Sequence, residues 1–373
     1  MTAMSPIAID EPKALEQPRI SRRGTWGVTW HGVRTVAQLE LRQRVRSTRW
    51  IVALVVWFVV VGGLTLLLSG FLSDAMLGTG SSGPLMFGAV VFLVLGLGLL
   101  VTPTLTSTAV NGDRNAGTLA TLQVTLLSPA EIALGKLVAA WLAACAFLVV
   151  SIPFLVVALF MGDTPPFAVV RVVVIVALLL VSVCGIGLGF SALVSRTAGS
   201  TVLTFITVAA LVLLTPMLFG LTFSSIEQEE NVQVWGPVDG STFGEDMECG
   251  FTTQVQTVAH TERTWWLLGI NPFVVVADGA GTGPILQDDY GSSADPLGSI
   301  RDGVRSLRTP NRVDNQCYYA SDSLPANDQR GDDSAIWPWG LAANLALGAA
   351  GFVVAVRRLA IPSRTLARGT RVA

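Results

Sequence analysis

Residues 50–69 read WIVALVVWFVVVGGLTLLLS, a run without one Asp, Glu, Lys, Arg or His. At about 1.5 Å per residue, a helix of that length reaches roughly 30 Å, the thickness of a bilayer's hydrocarbon core. Uncharged stretches of similar length recur at 85–105, 137–161, 172–194, 199–222 and 336–356. A buried helix of a soluble protein could account for one such run but not for six. About fifty residues precede the first run and no small-residue cleavage site follows promptly, which excludes a cleaved signal peptide. The whole chain is 51% apolar and 13% charged, with a mean hydropathy of +0.60. A soluble domain carries about 25% charged residues. The reading is an all-α polytopic membrane protein with six transmembrane helices.

The charges orient it. Residues 1–50 hold nine basic side chains and residues 357–371 five, whereas residues 223–335 hold eighteen Asp or Glu against six Arg. Cytoplasmic flanks carry the Lys/Arg excess, so a leader (1–30) and a basic tail (357–373) are both expected in the cytoplasm of a plasma-membrane protein. Six spans satisfy that. Spans one to five then occupy the membrane domain 31–222, the acidic loop 223–335 lies outside, and span six covers 336–356. Arg171 is the one residue against the rule. The leader carries Pro6, Pro12 and Pro18 and reads as disordered. After it, Val33, Val36, Ala37 and Leu41 project to one side and Arg42, Arg46 and Arg49 to the other, with Arg44 breaking the pattern. That is an interfacial helix or a plain topogenic charge cluster. Residues 264–277 (TWWLLGINPFVVVA) are apolar but too short to span, and Asn271-Pro272-Phe273 interrupts them. A re-entrant segment is expected there.

Cys145 and Cys184 fall within spans and read as packing residues. Cys249 and Cys317 share the external loop, where oxidation is permitted, and are expected to pair. Cys spacing offers no metal site, and His31 and His260 fall on opposite sides of the membrane. Gly96, Gly98, Gly185, Gly187 and Gly189 suit close helix packing or a dimer seam. No constellation of nucleophile, paired carboxylates or metal ligands suggests catalysis. The spans carry no ionisable residue of the kind that marks proton relays. No phosphate-binding glycine loop is present, so any uphill transport must draw its energy from another polypeptide.

The loop 106–136 suggests how. Leu119, Leu122 and Leu126 recur at helical spacing. Ser128-Pro129-Ala130-Glu131 then combines an N-cap, a first-turn proline and a capping-box glutamate. A short amphipathic helix should therefore end near Leu127, with a second helix running from Pro129 into span three. The residues Asp113-Arg114-Asn115-Ala116-Gly117-Thr118-Leu119, then Leu126-Leu127-Ser128-Pro129, Glu131-Ile132 and Leu134-Gly135-Lys136 resemble the pattern of the type-2 ABC exporter permeases. Asp113 stands where that family generally has Glu. The six-span layout and the Asn271-Pro272-Phe273 element before the last span are similar too.

That resemblance implies a permease subunit of an ATP-driven exporter, working as a homodimer or heterodimer. Each protomer would dock a separate ATPase through a coupling helix at 114–127. Asp113, Arg114, Gly117, Thr118, Leu119, Leu122, Leu126, Ser128 and Glu131 would serve that coupling. ATP and Mg would bind the partner subunit, this chain binding no cofactor and no nucleic acid, only membrane lipids around it. Span composition suits an amphipathic or lipid-like cargo. The alternative is a membrane-anchored sensor or scaffold acting through its external loop.

Overall fold

The computed structural model describes residues 24–75, 83–118, 127–161, 165–237, 249–281, 295–308, 314–315 and 334–360. Six helical stretches are long and apolar enough to cross a membrane: Thr48–Gly70, Gly83–Asn115, Pro129–Phe160, Phe167–Leu193, Thr197–Ile226 and Trp337–Leu359. Each contains one of the six uncharged runs or nearly all of it. The chain is a mostly helical, multi-pass membrane protein by length and composition.

The elements follow in order. Helix α1 (Trp30–Val45) leads into α2 (Thr48–Ala75), α3 (Gly83–Thr106) and the one-turn α4 (Asn111–Asn115). Then come α5 (Pro129–Phe160), α6 (Phe167–Leu193), α7 (Thr197–Ala209) and α8 (Thr215–Ile226), the last two joined by a π-helical turn at Ala210–Leu214. Strands β1 (Glu227–Pro237) and β2 (Cys249–Ala259) precede the short α9 (Trp265–Gly269), α10 (Pro272–Gly279) and α11 (Pro296–Ser306). Strand β3 (Asp314–Asn315) and the last span, α12 (Trp337–Leu359), complete the described chain.

Small residues set how closely the spans approach. The tightest pair is α6 with α12, where Gly185 and Gly189 face Gly348 and Gly351. A Cβ on Gly189 would stand 2.7 Å from the Gly351 Cα, and one on Gly348 would stand 2.6 Å from the Ser182 Cα. These glycines thus serve contact within the chain, so a dimer seam is not needed to explain them. Bulk fills the other seams. On α2, Trp57 donates to Ser151 Oγ at 2.9 Å, while Phe147 of α5 packs edge-on against Trp50 and Trp57. Helices α2 and α7–α8 are the least enclosed spans, with large apolar side chains such as Val59, Leu66, Ile206 and Met217 facing outward.

Between the fifth and sixth spans the chain adds a small sheet to the helices. Strands β1 and β2 pair antiparallel from Glu227↔Ala259 to Pro237↔Cys249, and β3 adds parallel to β1, in the order β2-β1-β3. Strand β1 leaves α8 without a linker, and the His260 N–H returns to the Ile226 carbonyl at 3.0 Å. His260 also meets Glu262 at 2.8 Å and Glu230 at 3.2 Å through its two ring nitrogens, closing the base of the hairpin. Cys249, at the head of β2, is not a free thiol, unlike Cys145 and Cys184. Its expected partner Cys317 lies outside the described residues.

The segment expected to be re-entrant is a pair of short helices broken at Asn271. Asn271 caps α10, accepting from the Phe273 N–H at 2.9 Å, and Pro272 takes the first helical position, where no N–H is needed. Its amide donates to the Val212 carbonyl at 2.9 Å and to Thr215 Oγ1 at 3.2 Å. Those partners lie in and beside the π turn of the fifth span, where the altered ladder frees backbone groups. The break in one element is thereby matched to the break in another.

Candidate functional site

Charged side chains gather at the bundle end where α1, α4 and the start of α5 meet. The corner forms from local chemistry. Ser128 accepts from the Glu131 N–H at 3.1 Å, and Glu131 accepts from the Ser128 N–H at 2.8 Å, so the expected capping box is present. Pro129 opens the helix behind it.

Glu131 does more than cap. It is fully buried, and its other oxygen accepts from the Thr29 N–H at 2.8 Å and from the Thr29 hydroxyl. Ser128 donates to the Gly27 carbonyl, and the Ala130 N–H reaches Thr25 O at 3.3 Å. Residues 25–29 are thus stapled along the head of α5, immediately before Thr29 caps α1. Helix α1 then lies on α5 with Val33, Val36 and Ala37 buried, and Val36 touches Gly135 so closely that a Cβ there would clash. The apolar stripe of α1 is therefore spent on protein.

One turn further on, Lys136 is 2% exposed and carries a charge that must be neutralised. It pairs with Asp113 of α4 at 2.5 Å and with Glu40 of α1. Three elements distant in sequence meet at one ammonium. Arg44, which broke the helical projection, is half-buried and donates to the Leu105 carbonyl at the end of α3, at 3.0 Å. Burial holds its pKa below the ordinary value, against the opposing pull of Glu40.

The root of α4 is held from the other side. Asn111 is fully buried, donating to Ser200 Oγ at 2.9 Å and accepting from the Ser191 hydroxyl at 3.2 Å. The Val110 N–H also reaches Ser191 Oγ, at 2.9 Å, and Ser107 meets Thr201 at 2.8 Å. The 107–113 stretch therefore ties α5 and α1 to the α6–α7 turn.

Of the helix expected over 114–127, the structure describes residues 114–118 and 127. Asp113 and Arg114 belong to α4, which ends at Asn115, and Gly117 then turns the chain at φ +74°. Only glycine adopts that conformation readily, which gives the Gly117 of the motif a physical role. Thr118 bonds back to the Asp113 carbonyl at 3.3 Å. Leu119, Leu122 and Leu126 lie outside the described residues. Asp113, expected as a contact or corner residue, engages Lys136, and Arg114 is only partly covered. Thr29, Glu40 and Asn111 were not singled out from the sequence. A lone Lys at the mouth of an apolar span was the available signal, because such a charge calls for partners.

A second polar constellation lies beside Asn271. Asp278 of α10 is 3% exposed and accepts from Arg305 Nε of α11 and from the Ile336 and Trp337 N–H groups, each at 2.7 Å. A carboxylate at the N-terminus of α12 meets the unpaired N–H groups and the favourable end of the helix dipole. Asp278 thereby pins the two short helices to the start of the last span. Among the described residues no cluster of His, Cys, Asp or Glu could hold a metal ion.

Comparison with family models finds no matching family, and comparison with curated proteins finds no significant relative.

Proposed function

We propose that this chain is the membrane subunit of an ATP-driven exporter of the type-2 ABC permease kind. The observation that carries the reading is the buried Lys136, which binds Asp113 at the root of the 113–127 segment to α1 and α5. A force applied to that segment would pass into the bundle through an ion pair and a capped helix start rather than through a slack loop. The chain would lie in the cytoplasmic membrane with both termini inside, form a homodimer or heterodimer, and dock a separate ATPase that binds ATP and Mg. Catalysis would belong to that subunit. An amphipathic or lipid-like cargo suits the apolar spans, the direction of transport follows the family resemblance, and a Cys249–Cys317 bridge would close the external loop.

Purification of the tagged chain in mild detergent, followed by mass spectrometry, should recover a P-loop ATPase whose turnover depends on this chain. The Leu122→Asp variant should insert normally but abolish cargo-stimulated ATP hydrolysis; undiminished stimulation would remove the coupling role from residues 113–127. A second reading, a membrane-anchored sensor, is favoured by the hairpin, where Phe251 and Val255 are apolar yet exposed. Binding of a partner to the hairpin, with no copurifying ATPase, would promote it.

A further inference from the structure

Helix α1 has two faces of opposite use. One packs on α5, and Glu40, the only acidic residue of α1, is turned inward to Lys136. The outward face and the turn after it carry Arg34, Arg42, Arg46 and Arg49, all exposed, and none of the four makes an ion pair with another described residue. Trp30, at the start of the helix, is 75% exposed, and Leu39, between Arg34 and Arg42, is 48% exposed. Arg49 lies in the first turn of the first span.

Four guanidinium groups without an ion pair among the described residues, strung with an exposed indole and a leucine along the helix that leads into the first span, form a surface with a definite complement. Water alone would satisfy the arginines but not Trp30 and Leu39. An acidic protein surface would satisfy the charges, but α1 ends at Val45 and the first apolar span starts at Thr48, which keeps this face close to wherever the span enters lipid. Lipid headgroups offer phosphate to the guanidinium forks and the glycerol–acyl boundary to the apolar side chains.

We propose that the exposed face of α1, with Arg46 and Arg49 after it, is a docking surface for anionic phospholipid headgroups. It anchors the helix that the Lys136 hub joins to the 113–127 segment. This inference rests on the span assignment and is independent of whether the partner is an ATPase.

The test uses the full-length chain in mixed micelles of phosphatidylglycerol and phosphatidylcholine at equal amounts, with retained lipid measured after purification. At low salt the chain should hold phosphatidylglycerol in preference by about tenfold. The preference should shrink in about 1 M salt, where screening acts within roughly 3 Å. Replacing all four arginines by Gln should abolish it. Replacement of all four by Lys should retain it, which separates charge from folding, and Arg357→Gln/Arg358→Gln should lower it by less than the four-Gln change does. An undiminished preference in the four-Gln variant would overturn the proposal. So would a photoreactive residue at Gln38 that, in native membranes, labels a protein and no lipid.

Discussion

Lys136 shows what a single charge demands at the edge of an apolar span. Its ammonium is 1% exposed in the side chain, while Glu40 and Asp113 keep 18% and 28%. Removing the lysine leaves two carboxylates facing each other with nothing between them. Breaking a buried ion pair from one side costs about 3–5 kcal/mol. Lys136→Met should therefore lower the melting temperature of the detergent-solubilised chain by several degrees, and Glu40→Gln added to it should recover part of the loss. Equal melting of Lys136→Met and the native chain would mean that the ion pairs contribute nothing to stability. The capping box was legible from residues 128–131 because its chemistry is local. The hub was not: Glu40 and Lys136 stand ninety-six positions apart, and only the packing of α1 on α5 makes them neighbours.

Elements were read with very different success, for physical reasons. A span must satisfy its backbone internally and show apolar side chains to lipid, so composition and length suffice to find it. The hairpin obeys no such rule. In β2 the apolar Phe251 and Val255 are exposed while Gln254 and Gln256 are half-buried, so the alternation that usually marks a strand runs the other way. The glycines of α6 were legible as packing residues, but their partners were not, because Gly348 and Gly351 lie more than 150 residues away in the sequence. Their contact makes a prediction. Gly348→Leu should drive α12 off α6, since even a Cβ there would stand 2.6 Å from the Ser182 Cα. The melting temperature of the detergent-solubilised chain should fall by several degrees, and an unchanged melting temperature would show that the seam tolerates a side chain there.

Across the whole molecule, two polar clasps hold opposite ends of the bundle, with apolar contact between them. One clasp joins α1, α4 and α5 through Lys136; the other joins α10, α11 and α12 through Asp278. The six-span layout and its charge asymmetry were visible from composition, while the meeting of short elements at each end depended on tertiary packing. The expected Cys249–Cys317 bridge belongs to this scale, since it would close a long loop and so constrain the unfolded chain, by a few kcal/mol. Cys317→Ser should slow migration on a non-reducing gel to that of the reduced chain; a Cys317→Ser band that stays with the oxidised native chain would assign Cys249 another partner. The unbroken passage from α8 into β1 has a mechanical result. Eleven residues of strand at about 3.4 Å each make an arm of roughly 37 Å. With its base clamped by His260, that arm behaves as a pointer. A tilt of about 10° in the fifth helix would sweep its tip through roughly 6 Å over such a radius, so a movement too small to see among the helices would be magnified into one that a partner at the hairpin could read.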